Sequence, residues 1–352
     1  MLKSQIIAHR LVFKEPAGTS RGVYRTRNVH YILLTDDKGR TGIGECAPLL
    51  KLSCDDRPDY DEVLGKAVAL TAKDGVIPYE ALRPWPSILC GLEMAMAHLK
   101  AGTLALSATP FAKSRAGIPI NGLIWMGSYE RMAERIREKT AQHFGCIKLK
   151  IGAIDFEKEI DLLGRIREEF GPDTVELRVD ANGAFSPDDA MKKLERLAPL
   201  ALHSIEQPIR AGQWEAMGEL CRSTPVPIAL DEELIGVNRP DDKARLLDTI
   251  APQYIILKPS LHGGFRGSDE WIARATERGI PYWATSALES NIGLNAIAHW
   301  CAAHGVTRPQ GLGTGMLYTN NIDMPLTIRG DRLHFLDETG FDPVAAVRAL
   351  AD

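Results

Sequence analysis

This 352-residue chain has no Cys-x-x-Cys pair, no long apolar run, no strong charge of either sign and no phosphate-binding glycine loop. Each absence removes a class of function. The six cysteines stand far apart, at positions 46, 54, 90, 146, 221 and 301. That gives neither zinc spacing nor a redox motif, and in a chain this long they read as buried, reduced thiols of a cytoplasmic protein. No apolar stretch approaches the ~20 residues of a membrane span, and the opening Met1-Leu2-Lys3-Ser4-Gln5-Ile6-Ile7 carries no signal-peptide core. A formal net charge of −4 supplies no electrostatic footprint for nucleic acid or an anionic membrane, so neither is expected as a partner. Gly42-Ile43-Gly44-Glu45-Cys46-Ala47 outlines a dinucleotide fingerprint, but Pro48 follows and no helix opens there, so that reading fails. What remains is the composition of a soluble globular protein, 45% hydrophobic and 25% charged, long enough for one large or two ordinary domains.

Residues 1–115 predict an α+β domain. Segments 5–13 and 30–46 read as an antiparallel meander, with a hairpin turn at Asp36-Asp37-Lys38-Gly39. Glu15 to Asn28, rich in Gly, Ser, Thr and Arg, reads as a mobile surface loop. Helical patterns cover 60–73 and 87–101. Over residues 116–315 the texture becomes a regular alternation. Apolar strands are expected at 118–125, 146–151, 175–180, 201–206, 226–231, 254–258, 281–286 and 309–313, with amphipathic helices between them. Ser186-Pro187-Asp188-Asp189 is a strong helix start, and Ser268 before Asp269-Glu270-Trp271 is expected to act likewise. Eight strands and about seven helices over roughly 200 residues predict a modified (β/α)8 barrel. Residues 316–352, with strand-like 325–328 and 333–336, leave that rhythm and are expected to return to the first domain.

The chemistry sits at the strand ends. In Cys146-Ile147-Lys148-Leu149-Lys150-Ile151-Gly152 the two lysines share one face of a strand. Two ammonium groups so placed oppose each other's protonation, which predicts a lowered lysine pKa and a usable base. Successive strands then end in Lys150, Asp180, Glu206, Asp231 and Lys258, at intervals of 30, 26, 25 and 27 residues. Each interval is one βα unit, and in a barrel that edge of every strand faces one cavity. Three carboxylates with no His or Cys suit a hard divalent cation, Mg2+ or Mn2+. Such a cation beside a lysine base points to removal of a proton α to a carboxylate.

These residues resemble a known family. Lys148-Leu149-Lys150, Asp180-Ala181-Asn182, Glu206-Gln207-Pro208, Asp231-Glu232 and Lys258-Pro259 are similar to the motifs of the muconate-lactonising subgroup of the enolase superfamily. The resemblance spans nearly the whole chain. It implies a (β/α)7β barrel under an N-terminal α+β capping domain that the C-terminal segment completes, with the stretch at about 15–28 closing over the barrel mouth. It also implies Asp180, Glu206 and Asp231 as metal ligands, Lys150 and Lys258 as catalytic lysines and Lys148 as the group that tunes Lys150. Within the subgroup, Ser286-Ala287-Leu288-Glu289-Ser290-Asn291 and Gln310-Gly311-Leu312-Gly313-Thr314 resemble the last two barrel strands of the o-succinylbenzoate synthases. That likeness implies a small carboxylate substrate held by Ser286 and by Gly311 or Gly313, with Arg178 and Asn182 assisting. The implied reaction is a metal-dependent syn-dehydration in menaquinone biosynthesis. N-succinylamino-acid racemisation and dipeptide epimerisation are the alternatives on the same scaffold. Arg21, Arg25 and Arg27 are further candidates to meet an anionic substrate, and a homo-oligomer is left open.

Overall fold

A computed structural model describes residues 1–19, 22–124, 128–152 and 155–351. The chain opens with β1 (Lys3–Thr19), β2 (Gly22–Thr35) and β3 (Thr41–Cys46), an antiparallel sheet in that order, followed by α1 (Tyr60–Asp74), α2 (Tyr79–Leu82) and α3 (Pro86–Ala101). The β1–β2 ladder runs from Lys3↔Thr35 to Thr19↔Gly22, with a register shift between Val12 and Ala17. The stretch from Glu15 to Asn28, expected as a mobile loop, is therefore largely hairpin. Its polar composition misled because a strand needs only one apolar face. Here that face includes Phe13, Ala17 and Val29, all buried, with Phe13 packed on Tyr318 at 4.6 Å between ring centroids. Ser20 and Arg21 lie outside the described residues.

Side chains alternate along β2. Val29, Tyr31 and Leu33 join one buried cluster with Ile292, Leu294 and Tyr318, while Ile32 and Leu34 join another with Leu64, Val68, Ile88 and Leu92 of α1 and α3. The sheet is thus covered on both faces, which explains its continuous apolar run. The discarded glycine pattern has a packing use. A Cβ on Gly42 would lie 2.0 Å from the Ala95 carbonyl oxygen, and one on Gly44 1.9 Å from that of Gly91. Backbone meets backbone there as α3 lies on β3. Gly44→Ala is expected to cost about 2–3 kcal/mol by forcing the two apart, read as a lower denaturant midpoint at an unchanged slope.

After β4 (Ile118–Pro119) come the barrel units: β5 (Gly122–Ile124), α4 (Tyr129–Ala141), β6 (Cys146–Lys150), α5 (Phe156–Glu169), β7 (Glu176–Asp180), α6 (Pro187–Leu197), β8 (Ser204–Glu206) and α7 (Trp214–Ser223). They continue with β9 (Ile228–Leu230), α8 (Pro240–Ile250), β10 (Tyr254–Leu257), α9 (Gly264–Thr276), β11 (Tyr282–Ala284) and α10 (Asn291–Ala303). The seven strands β5 to β11 form one parallel sheet in sequence order. The strand expected at 309–313 is reduced to two bridges, Gln310 with Ile120 and Gly311 with Thr285, which close the curl. Outward side chains such as Ile147, Leu149, Leu177, Val179, Ile205 and Leu257 pack with the helices in one large core. Inside the curl the apolar packing is small, Ala229, Ile256 and Trp283. Above it the interior is ionic.

Ser186 caps α6 as expected, accepting the Asp189 N–H at 3.2 Å ahead of Pro187. Ser268 does not start a helix. It sits inside α9 and donates to the Gly264 carbonyl at 2.8 Å. The turn before it forms because Glu93 of α3 accepts the Phe265 and Arg266 N–H groups, a cap supplied from outside the local sequence. The C-terminal hairpin, β12 (Leu326–Arg329) and β13 (Arg332–Phe335), pairs with β4 rather than with the first sheet. The segment before it does lie along β1, with Lys14 N–H on Leu317 O at 2.8 Å and Thr319 N–H on Val12 O at 2.9 Å. The last helix is α11 (Pro343–Arg348). Among the described residues no helix is long and apolar enough to cross a membrane.

Candidate active site

The sheet register brings the strand-end residues together. Lys150 pairs with Asp180, and Asp180 with Glu206, as direct neighbours across β6, β7 and β8. Asp231 and Lys258 follow directly on β9 and β10. A cavity of about 320 Å3 opens over them, lined by Lys148, Lys150, Asp180, Asn182, Glu232 and Lys258 on one side and by apolar groups such as Tyr24, Leu49, Leu52 and Leu288 on the other.

Inside this layer the lysines bond the acids. Lys148 Nζ lies 3.0 Å from Asp180 Oδ2 and donates to Glu206 Oε2. Lys150 Nζ donates to Asp180 Oδ2 at 3.0 Å and to Asn182 Oδ1 at 2.6 Å, and Lys258 Nζ donates to Asp231 Oδ2. The expected lowering of a lysine pKa by its lysine neighbour does not hold for Lys148. Burial pulls its pKa down, but Asp180, Glu206 and Asp231 outweigh that and raise it. Lys258 is raised likewise, burial being overcome by Asp231 and Glu206. Burial pushes the Asp180 carboxyl up, yet Lys148, Lys150 and Lys258 hold it below the usual range. Glu206 goes the other way, because burial and then the Asp180 charge disfavour its ionised form.

The three acids are not arranged as a ready metal cage among the described residues, because ammonium groups sit where a cation would balance their charge. The donor set nonetheless fits one. Glu206 Oε1 and Asp231 Oδ1 are buried carboxylate oxygens with no hydrogen-bond partner among the described residues, and such oxygens are the ligands a hard divalent ion takes.

Of the other expected residues, Asn182 is in the cavity, in a left-handed turn (φ 45°), held by Lys150 and donating to Glu232 Oε1 at 3.0 Å. Arg178 is not among the cavity-lining residues. Two residues earlier on β7, it lies one layer down, donating to Glu176 at 2.7 Å and to Pro309 O at 2.9 Å, with its guanidinium 4.3 Å from the Trp283 ring centre. Those partners commit it to the barrel interior. Ser286 lines the cavity, but its hydroxyl donates to Glu289 at 2.6 Å and its N–H goes to Gly311 O at 3.0 Å. The Gly311 N–H is taken by Ala284 O at 2.8 Å. Gly313 is open: a Cβ there would find nothing closer than 3.8 Å. Arg25 is exposed, while Arg27 is buried and spends its donors on the carbonyls of Ala287 and Ala47. Sequence reasoning missed Glu232 as a cavity wall, although the acidic run Asp231-Glu232-Glu233 carried the signal. Thr314, at the end of the quoted stretch Gln310 to Thr314, lines the cavity with a buried hydroxyl that has no partner among the described residues.

Residues 131–341 match the family model described as enolase C-terminal domain-like, and the chain belongs to that family. Within it, the chain is 45% identical to the o-succinylbenzoate synthase of Desulfotalea psychrophila, across 92% of this chain and 96% of that protein. The crystal structure of MenC from the same organism superposes with a TM-score of 0.82 at 41% identity, covering 95% of this chain and 99% of that one. The L-Ala-D/L-Glu epimerase of Bacillus subtilis is 25% identical across 93% of this chain and 91% of its own length.

Proposed function

We propose that this chain is a divalent-metal-dependent o-succinylbenzoate synthase, dehydrating 2-succinyl-6-hydroxy-2,4-cyclohexadiene-1-carboxylate to 2-succinylbenzoate. The observation that carries this reading is the ring of strand ends: Lys150 on one side, Lys258 on the other, and three carboxylates on the strands between. Similarity to the Desulfotalea synthase over almost the full length supports the choice of substrate. Asp180, Glu206 and Asp231 would hold Mg2+ or Mn2+, which supplies charge stabilisation for the enediolate that forms as the α-proton leaves.

The chain's own groups do the proton work. Lys150, oriented by Asn182 and Asp180, takes the α-proton. The C–H electron pair is held in the enediolate and then returns through the α-carbon into the ring as the C–O bond breaks. The same Lys150, now an ammonium, returns its proton to the departing hydroxyl on the same face, so that one water leaves and the ring becomes aromatic. Lys148, bonded to Asp180 and Glu206, fixes the charge balance around Lys150. Lys258 faces the reacting carbon from the other side and steadies the anion. Gly313 and Asn182 would meet the substrate's polar groups, with Ser286 and Gly311 holding the wall beside them.

The test is a steady-state assay with excess Mg2+, following loss of the cyclohexadiene substrate, with N-succinyl amino acids examined in parallel by optical rotation. Dehydration far faster than racemisation is expected, and efficient racemisation alone would move the assignment to the racemases. Lys258→Arg separates the roles further. A dehydratase needs Lys258 only as a cation, so Lys258→Arg should keep dehydration within about 10- to 100-fold of wild type while any racemisation falls by about 10^3-fold or more. Equal loss of both activities would show that Lys258 transfers a proton in both.

A further inference from the structure

The loop after β11 lines the cavity with Ser286, Ala287 and Leu288, and its shape is imposed from elsewhere in the chain. Leu288 is in the left-handed region (φ 67°), which a branched side chain occupies only when its surroundings require it. Three groups supply that requirement. Arg27, buried on β2, donates one Nη to Ala287 O and the other to Ala47 O. The Tyr318 hydroxyl donates to Leu288 O at 2.6 Å. Glu45, buried on β3, accepts the Ser290 N–H and the Gly293 N–H at 2.9 Å each, and the Ser290 hydroxyl as well. A buried guanidinium and a buried carboxyl group from the three-stranded sheet therefore grip the two ends of the segment 287–290. Just before the segment, Ser286 is fixed by Glu289 and by the Leu288 N–H at 3.0 Å.

We propose that Arg27, Glu45 and Tyr318 are positioning residues that set the substrate-facing wall at 286–290 without touching substrate. This rests on the reading of the cavity as the active site. The lysines stand on β6 and directly after β10 and share no hydrogen bond with these three groups. A displaced wall should therefore weaken substrate binding and leave the proton-transfer machinery in place.

The experiment compares wild type with Tyr318→Phe, Arg27→Lys and Arg27→Gln, all Mg2+-loaded. Tyr318→Phe removes one hydroxyl and keeps the ring that packs on Phe13. Three readouts are taken: KM and kcat, calorimetric affinity for 2-succinylbenzoate, and backbone hydrogen exchange by peptide. Tyr318→Phe should raise KM and the 2-succinylbenzoate Kd by about 10-fold, the usual scale for loss of one buried hydrogen bond, and Arg27→Gln, which gives up two charge-assisted bonds, by about 10-fold or more, with kcat within about threefold for both. Arg27→Lys should recover part of that loss. Exchange should quicken in peptides spanning 285–292 and stay unchanged across 146–152. Unchanged KM and unchanged exchange at 285–292 in both Tyr318→Phe and Arg27→Gln would overturn the proposal, as would a fall in kcat at constant KM. If wild type neither turns over the substrate nor binds 2-succinylbenzoate, the functional reading fails, while the exchange data still decide whether the clamp exists.

Discussion

Lys150→Ala is expected to lower turnover by about 10^3- to 10^4-fold, the range that removal of a positioned general base produces, with fold and Mg2+ affinity retained. The structure makes the second half of that expectation specific. Lys150 occupies an inward position of β6, while its strand neighbours Leu149 and Ile151 carry the packing against the helices. Truncation therefore opens space toward the cavity and leaves the core intact. Asp180 also keeps a cationic partner, because Lys148 stays 3.0 Å away. A Lys150→Ala protein that melts near the wild-type temperature and binds Mg2+ normally, yet neither dehydrates substrate nor washes solvent deuterium into it, would isolate the loss to proton transfer. Retained turnover would remove Lys150 from the base role.

The site was legible in the sequence to the extent that a parallel barrel writes it there. Every βα unit delivers one strand end to the same mouth, so the spacing of Lys150, Asp180, Glu206, Asp231 and Lys258 encoded their convergence before any coordinates. The outward apolar positions of the same strands were equally plain, since helices cover them continuously. What the sequence hid depends on partners far along the chain. The two lysines were expected to lower each other's pKa, with Lys148 tuning Lys150, but at Lys148 the acids Asp180 and Glu206 from later strands reverse the sign. Arg178 looked like a substrate group because it adjoins Asp180, and only the two-residue step down the strand, toward Trp283 and Pro309, removes it from the cavity. Ser268 lost its capping role to Glu93, a residue 175 positions earlier that no local pattern could indicate. The hairpin at 15–28 was hidden for another reason: Ala17 to Thr19 pair with Gly22 to Tyr24 and Thr26 to Asn28 with Arg10 to Val12, so strands run through a stretch whose polar composition reads as a loop.

Glu206→Gln should separate the metal from the fold in a way that truncation to alanine does not. Three carboxylates share a buried space, and burial together with the Asp180 charge makes the ionised form of Glu206 costly. A glutamine of the same shape removes one negative charge from that space. Its carbonyl oxygen can still accept from Lys148, and its amide can donate toward Asp231, whose Oδ1 has no hydrogen-bond partner among the described residues. The metal-free variant is therefore expected to melt no lower than wild type. Metal binding behaves oppositely, because a neutral amide is a poor ligand for a hard cation and the charge opposing it falls by one. A ligand present at 100 times its Kd stabilises by about 2.7 kcal/mol, so wild type should show a clear Mg2+-dependent rise in melting temperature. Glu206→Gln, with Asp180→Asn and Asp231→Asn beside it, should lose most of that rise together with its activity. A Mg2+-dependent rise equal to wild type in all three would mean the cation binds elsewhere, and the acids between the lysines would then be an ion-pair network alone.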